Sequence, residues 1–377
     1  MTPLEHLQTL RARALTLAQA LPGPEQAMSH HADLSPLLWH LGHMLYIEEH
    51  WLLERAGGQS LPAQRAYMFR ADGMPRRLRS RFAPPLETLK PAIASWSARM
   101  PALLAQYAAH PLVHGEYLVH FLIQHHSQHI EIMQQILLAH ALQGISSYHP
   151  ERTPDPRSVS THAISRPAGP ATMGADLPCL YDNERPAHAI RLSAFRIGLR
   201  PVCNAEYLAF ILDGGYRDRR WWTAESWRWQ QSLGITAPLG WRQDADGRWY
   251  AVGPAGAHDL EDEAAVLGVS AYEAAAFARY AGSRLPTEQE WECAAREGRL
   301  EGIGGAWEWC ANVFYPYAGF RAFPYRGYSM PWFDGIHRAL RGYSPYTDPS
   351  LQRPTFRNFY TPEKRHVFAG VRLCADA

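Results

Sequence analysis

The stretch 118–142, LVHFLIQHHSQHIEIMQQILLAHAL, repeats its large apolar residues at three- and four-residue spacing, which lines one face of an α-helix. Within it His125 and His129 stand four residues apart, so their side chains leave the helix on one face about one turn from each other. Two imidazoles so placed can share one metal ion, but two rarely suffice, and a third has to come from another helix. The stretch 37–53, LLWHLGHMLYIEEHWLL, has the same periodicity and offers His40, His43 and His50. Spacing does not choose among the three. Nor does it choose the ion, because neutral imidazoles with no nearby cysteine suit zinc, iron, copper or nickel alike.

Outward from these two segments, helical periodicity runs from residue 3 to about 145, broken at LPGPEQ (21–26), AGGQSLPAQ (56–64) and RFAPP (81–85). The breaks leave helical segments of a length suited to a four-helix bundle, expected over residues 1–146. Residues 147–171 hold five prolines and few large aliphatics, so they read as a linker. From 172 to 377 the texture changes to short strand candidates such as HAIRLSAFRIG (188–198), a helix at SAYEAAAFARYAG (270–282), and long loops rich in Gly, Pro, Tyr and Trp. The expected class is therefore an all-α domain followed by an α+β domain.

A chain of 377 residues with 46% hydrophobic content exceeds the size at which one core keeps growing, in keeping with two domains. Lys and Arg number 37 against 36 Asp and Glu, so no global field recruits nucleic acid or an anionic membrane, and a small molecule is the expected partner. Five cysteines form no CxxC pair and fit a reducing cytoplasm better than a disulfide framework. The first residues, MTPLEHLQTLRARAL, carry charges inside their apolar pattern, unlike a secretory signal, and no apolar run reaches 18 residues.

In the second half, GSRLPTEQEWECAA (282–295), GAWEWCANVF (305–314), PYAGFRAFPYRGYS (316–329), PWFDGIHRALRG (331–342) and TFRNFYTPEKRHVFAGVRL (355–373) follow one another in an order that, with the two histidine segments, resembles the iron-dependent sulfoxide synthases of ergothioneine biosynthesis. That family joins a DinB-like bundle to a domain like formylglycine-generating enzymes and C-type lectins. The resemblance covers nearly the whole chain. It rests in the first half on a Pro-x-x-Trp-Asp-Leu-Ala-His motif, matched by Pro36 to His43, and a His-Glu-x-Gln-His motif, matched by His125 to His129. The likeness of the second half alone would show only a scaffold that hosts unrelated functions.

What the resemblance implies is specific. The Fe(II) ligands fall on His43, His125 and His129, and the catalytic tyrosine on Tyr325. Tyr328 and Gln128 fall where the imidazole of hercynine, the trimethylated histidine betaine, is contacted. Asn358 and Phe359 fall where its head group is cradled, an aromatic face being suited to a cation that donates no hydrogen bond. The implied reaction uses dioxygen to bond a chalcogen to C2 of that imidazole. Arg357 and the pair Trp307 and Trp309 read as scaffold.

Four departures bear on the donor and the metal. Where γ-glutamylcysteine-using members carry Arg-Asn-Trp-Asp-x-Pro-x-Arg, this chain has Tyr360 for the aspartate and Lys364 for the second arginine. The exchange removes one charge and replaces a bidentate fork with a point cation. Such a pocket suits cysteine, or the selenosugar used by the related selenoneine synthases, and a neutral sugar needs no charged clamp. His126 replaces the motif's glutamate and His40 its aspartate, so the carboxylates that would orient ligand imidazoles are missing from those positions. Two other readings remain at this level: a zinc-dependent thiol transferase, since three histidines and a water suit zinc, and a lectin-like binding module suggested by WWTAESWRWQ (221–230). The first would work without dioxygen; the second would leave the histidines idle.

Overall fold

The protein is described from a computed structural model, over residues 1–144, 147–324 and 326–377. It divides into two compact units, Met1–Gln143 with Asp348–Ser350, and Gly144–Thr347 with Leu351–Ala377.

The first unit is helical: α1 (Pro3–Ala18), α2 (Gly23–Gln26), α3 (Leu37–Glu49), α4 (Ala63–Phe69), α5 (Arg79–Phe82), α6 (Leu86–Gln106) and α7 (Tyr117–Ala141). Helix α1 starts where Thr2 and Glu5 form a reciprocal capping box with Pro3 in the first turn, satisfying backbone donors that the helix cannot. Helix α3 does not stop at its last α-helical residue but continues through π-helical turns over His50–Ala56. The four long helices α1, α3, α6 and α7 pack on one another and supply the core from their apolar stripes, among them Leu7 and Leu10, Leu41 and Leu45, Ile93 and Met100, and Ile130 and Met133. Stripes three and four residues apart can face a common centre, and this is the arrangement the periodicity of 1–146 predicts. No described helix is long and apolar enough to cross a membrane.

The core of this unit is not wholly apolar. Arg11 on α1 and Glu48 on α3 occupy stripe positions, each at most 5% exposed, and bond through Nε and Nη2 of the guanidinium. Trp96 of α6 donates from Nε1 to the same carboxylate at 2.7 Å. At Gly42 of α3, a Cβ would lie 2.1 Å from the ring of Phe69, so the absence of a side chain lets that ring rest directly on the helix.

The second unit holds short sheets and four helices among its described residues: α8 (Asn204–Leu212), α9 (Ala224–Leu233), α10 (Ala271–Tyr280) and α11 (Glu288–Arg296). Strands β1 (Ala163–Arg166), β4 (Phe195–Gly198) and β12 (Cys374–Asp376) form one sheet in the order β1-β4-β12, and β2 (Gly169–Met173) pairs with β3 (His188–Leu192). Strands β5 (Trp241–Gln243), β6 (Trp249–Gly253) and β7 (Gly256–Asp259) form an antiparallel meander. The fourth sheet, ordered β10-β9-β8-β11, comprises β8 (Ala306–Val313), β9 (Arg338–Tyr343), β10 (Asn358–Tyr360) and β11 (Ala369–Gly370).

One boundary differs from the sequence expectation. Part of 147–171, read as linker, is paired strand: β1 lies antiparallel to β4 with Ile164 opposite Ile197, and β2 begins at Gly169. The prolines exclude helix but not a four-residue strand whose neighbour is supplied some thirty residues later, and that pairing leaves no periodic trace.

Motif residues of this unit are mostly scaffold. In RLPTEQEWE, Thr287 and Glu290 form the capping box of α11, and the buried Glu288 accepts two bonds from Arg357, at 2.9 and 2.8 Å, and one from Arg341 at 3.1 Å. Glu308 between Trp307 and Trp309 accepts from Arg372 at 2.6 and 2.8 Å, and both tryptophans are buried. A buried carboxylate without such a partner would be costly, so these pairs tie distant strands and the α11 N-terminus into one register.

Candidate metal centre

His125 and His129 leave α7 on the face that meets α3, and His43 leaves α3 toward them. The Nε2 atom of His125 lies 3.2 Å from Nε2 of His43 and 3.1 Å from Nε2 of His129. One nitrogen from each of the three rings falls within 4.8 Å of the others. Of the other histidines on α3 and its extension, His40 reaches the outer nitrogen of His129, and His50 turns away to Glu54 at 2.5 Å.

Hydrogen bonds on the far side of the rings decide which nitrogens carry protons. His43 Nδ1 lies 2.5 Å from the carbonyl oxygen of Phe69, which can only accept. The proton therefore sits on Nδ1, and His43 Nε2 presents a lone pair inward. The stacked indole of Trp39, 4.8 Å away and nearly parallel, holds the same ring from one face, and Arg79 lies 3.9 Å over that indole. Burial lowers His43 to about 4 despite the upward pull of the Phe69 carbonyl, and burial followed by neighbouring charges puts His40, His125 and His129 well below the ordinary imidazole value. All four are neutral at pH 7, the form a metal needs.

With Nε2 of His125 3.2 and 3.1 Å from those of His43 and His129, three inward lone pairs repel one another unless a proton or a cation stands among them. A cation among them resolves the conflict, and three imidazoles form a donor set that divalent first-row ions accept. The residues present thus fit a bound metal. In the tautomer that leaves its Nε2 free for a metal, His129 would donate from Nδ1 to His40 Nδ1, 2.9 Å away.

The expected substrate residues divide into those brought together and those not. Tyr325 lies outside the described residues. Gln128 is on α7, part-buried, one position before His129. In the second unit Tyr328 stacks on Tyr181 with centroids 4.1 Å apart and meets the edge of Phe359 at 6.4 Å. Phe359 in turn stacks on Phe314 at 4.4 Å and approaches Trp332 at 6.0 Å, so Tyr328 and Phe359 share one aromatic wall. Asn358 and Tyr360 flank Phe359 on β10, and strand alternation sends their side chains to the opposite face. Lys364 follows in a turn, 3.1 Å from the Glu363 carboxylate.

The segment carrying Tyr328 is anchored by a residue that the motifs do not flag. Asp182, 2% exposed, accepts from the Ser329 hydroxyl and from the Phe323 amide, and Asn183 also donates to Ser329. Burial, the largest influence, raises the Asp182 carboxyl to about 6 against its hydrogen bonds. A native value above the unfolded one favours the neutral form. Its stabilisation is complete below about pH 3.8 and is lost as pH rises through 6, a swing of up to about 3 kcal/mol. Asp182→Asn, neutral throughout, is expected to flatten the fall in stability between pH 4 and 7, measured by urea unfolding at each pH; an unaltered slope refutes it.

Sequence reasoning also missed Glu48 and Arg11. The signal was present: both charges fall on the apolar stripes of their helices, Arg11 beside Leu7, Leu10 and Ala14, and Glu48 beside Leu41, Met44 and Leu45. Opposite charges on two core-facing stripes predict a buried pair.

Residues 149–302 match the family model described as the sulfatase-modifying factor enzyme 1-like domain. The chain is 34% identical to the hercynine oxygenase of Mycobacterium tuberculosis, with 98% of each chain covered. Against the hercynine oxygenase of Mycolicibacterium thermoresistibile it is 33% identical over 91% of this chain and 88% of that one. Against that of Mycolicibacterium smegmatis it is 31% identical over 100% and 99%. Such identity runs through the helical unit as well as the second one, which a shared scaffold in the second unit would not produce, and the chain therefore belongs to the ergothioneine-type sulfoxide synthases, the family of the hercynine oxygenases.

Proposed function

We propose that this protein is a nonheme iron enzyme that uses dioxygen to bond selenium or sulfur to C2 of the imidazole of hercynine, with a selenosugar as the preferred donor. The observation that carries this reading is the convergence of three neutral imidazoles, His43 and His125 buried and His129 part-buried, in a chain related end to end to hercynine oxygenases. Fe(II) held by His43, His125 and His129 supplies the redox chemistry that three nitrogen ligands leave room for. The reaction balances without a further reductant: hercynine C–H, a donor selenol or thiol and dioxygen give the C2-linked selenoxide or sulfoxide and one water.

The chain's own residues have the remaining work. The wall of Tyr328, Phe359, Phe314 and Trp332 offers π faces for the trimethylammonium, which burial strengthens because that cation has no hydrogen bond to lose. Gln128 and Tyr328 orient the imidazole ring, Asn358 contributes to the betaine site, and Tyr325 serves as the proton-bearing catalytic hydroxyl. Tyr360 and Lys364 form the donor pocket. A neutral phenol in place of a carboxylate leaves the amino group of γ-glutamylcysteine without its counter-charge, which favours an uncharged sugar. A reducing cytoplasm is proposed as the site of action, and among the described residues the cysteines form no disulfide.

Incubation with hercynine, Fe(II) and air, in parallel with a selenosugar, cysteine and γ-glutamylcysteine, tests the reading. Mass spectrometry is expected to find the C2 selenoxide adduct in the first arm at a rate at least 10-fold above either thiol. Preference for cysteine would overturn the donor and keep the reaction. Turnover under argon would overturn the oxidative mechanism in favour of a zinc-type transferase.

A further inference from the structure

We infer that Glu48 and His126 are positioning residues of the metal centre, forming a relay that fixes the tautomer of His125 from outside the ligand set. The inference rests on the metal-site reading above. For His125 to face the metal through Nε2, its proton has to sit on Nδ1. That atom lies 3.4 Å from Nδ1 of His126, at the long end of hydrogen-bond range. On the other side of the His126 ring, Nε2 lies 2.6 Å from Oε1 of Glu48. A carboxylate accepts only, so His126 donates from Nε2, and for Nδ1 to accept from His125 it has to carry the lone pair of that ring. The opposite tautomer of His126 would set a lone pair against the Glu48 carboxylate, 2.6 Å away, and turn the His125 proton inward, where it would block ligation.

The carboxylate end of this relay is immobilised. Glu48 is bound by the Arg11 guanidinium through both oxygens and by Trp96 Nε1 at 2.7 Å, so α1, α3, α6 and α7 all contribute to it. His126 is fully buried and Glu48 1% exposed, which leaves neither group water as an alternative partner. The motif that His125 to His129 otherwise match has glutamate at the position of His126. Here the carboxylate comes instead from α3, one imidazole further out, so the orienting function lost at position 126 is supplied across the helix interface. A carboxylate that orients a metal-bound histidine usually touches it directly, and loss of such support costs metal affinity about 10- to 100-fold.

The two ends of His126 can be separated by amide size. Asparagine places an amide near the position of Nδ1, and glutamine near that of Nε2. The measurement is anaerobic Co(II) titration of the apo full-length protein, followed by visible absorption, with apo melting curves to confirm folding. His126→Gln and His126→Phe are expected to weaken Co(II) binding about 10- to 100-fold and to alter the visible bands, whereas His126→Asn, which keeps an acceptor beside His125 but loses the Glu48 bond, falls between these and the parent. Nitrogen-15 spectra of the histidine-labelled apo protein are expected to show the His125 proton on Nδ1 and the His126 proton on Nε2. Should His126→Phe fail to fold, the Gln and Asn variants make the same comparison. Parent-like affinity and bands in His126→Gln, with binding lost in His43→Ala, would overturn the relay while leaving the metal site standing. Parent-like affinity in His43→Ala would overturn the metal reading itself, and the relay with it.

Discussion

Anaerobically reconstituted His129→Ala is expected to lose bound iron on desalting and to show no dioxygen uptake above background in the presence of hercynine and donor. His129 supplies one of three inward nitrogens, and its Nε2 stands 3.1 Å from that of His125. With three ligands, removing one leaves two neutral imidazoles, which rarely hold a divalent ion. The loss should exceed the roughly 10- to 100-fold typical of outer hydrogen-bond partners. His50→Ala is the contrast, since that ring bonds Glu54 and stands outside the cluster. Unchanged metal content and uptake in His129→Ala would remove it as a ligand.

The second large effect is on stability. Glu48→Ala is expected to destabilise the apo protein by about 3–5 kcal/mol, because it strands the Arg11 guanidinium in the core without a counter-charge. Burial alone would raise the Glu48 carboxyl; the His126 hydrogen bond and the Arg11 charge overcome it and hold the group at about 2. A native value below the unfolded 4.5 means that the contribution is complete above pH 4.5 and lost as pH falls toward 2. Urea unfolding at pH 7 measures the cost. The double variant Glu48→Ala with Arg11→Met should recover part of it, since the guanidinium is no longer stranded, while Trp96 Nε1 and His126 Nε2 still lack the acceptor they had in Glu48. A single variant as stable as the parent would show that the pair contributes nothing. The double variant should still bind Co(II) weakly, which separates the fold contribution of Glu48 from its positioning one.

These expectations differ in how they became visible. The ligand pair His125 and His129 could be read from a linear string because i and i+4 are neighbours on any α-helix, whatever surrounds it. The choice of His43 over His40 and His50 could not, since all three lie on one helical segment and only the rotation of α3 against α7 separates inward from outward rings. Resemblance pointed to His43, and the packing brings its Nε2 to the other two. Glu48 escaped notice for the same reason: its significance lies in His126, which is 78 residues away in sequence and 2.6 Å away in space. Tyr328 and Phe359 were named by motif, but their shared wall with Phe314 and Trp332 depends on how separate loops and strands meet.

By itself the amino-acid sequence determined the helical first half, the change of texture near residue 147, the paired histidines and the family, because each is written in local spacing or in ordered motifs. Only the tertiary structure decided where the proline-rich stretch turns into strand, which outer partner each imidazole meets, and that the Glu48 carboxylate of α3 lies against His126. Strand pairing and side-chain hydrogen bonding between helices are contacts between residues far apart in the chain, and their energy depends on burial and mutual geometry that no single segment possesses before the units are packed.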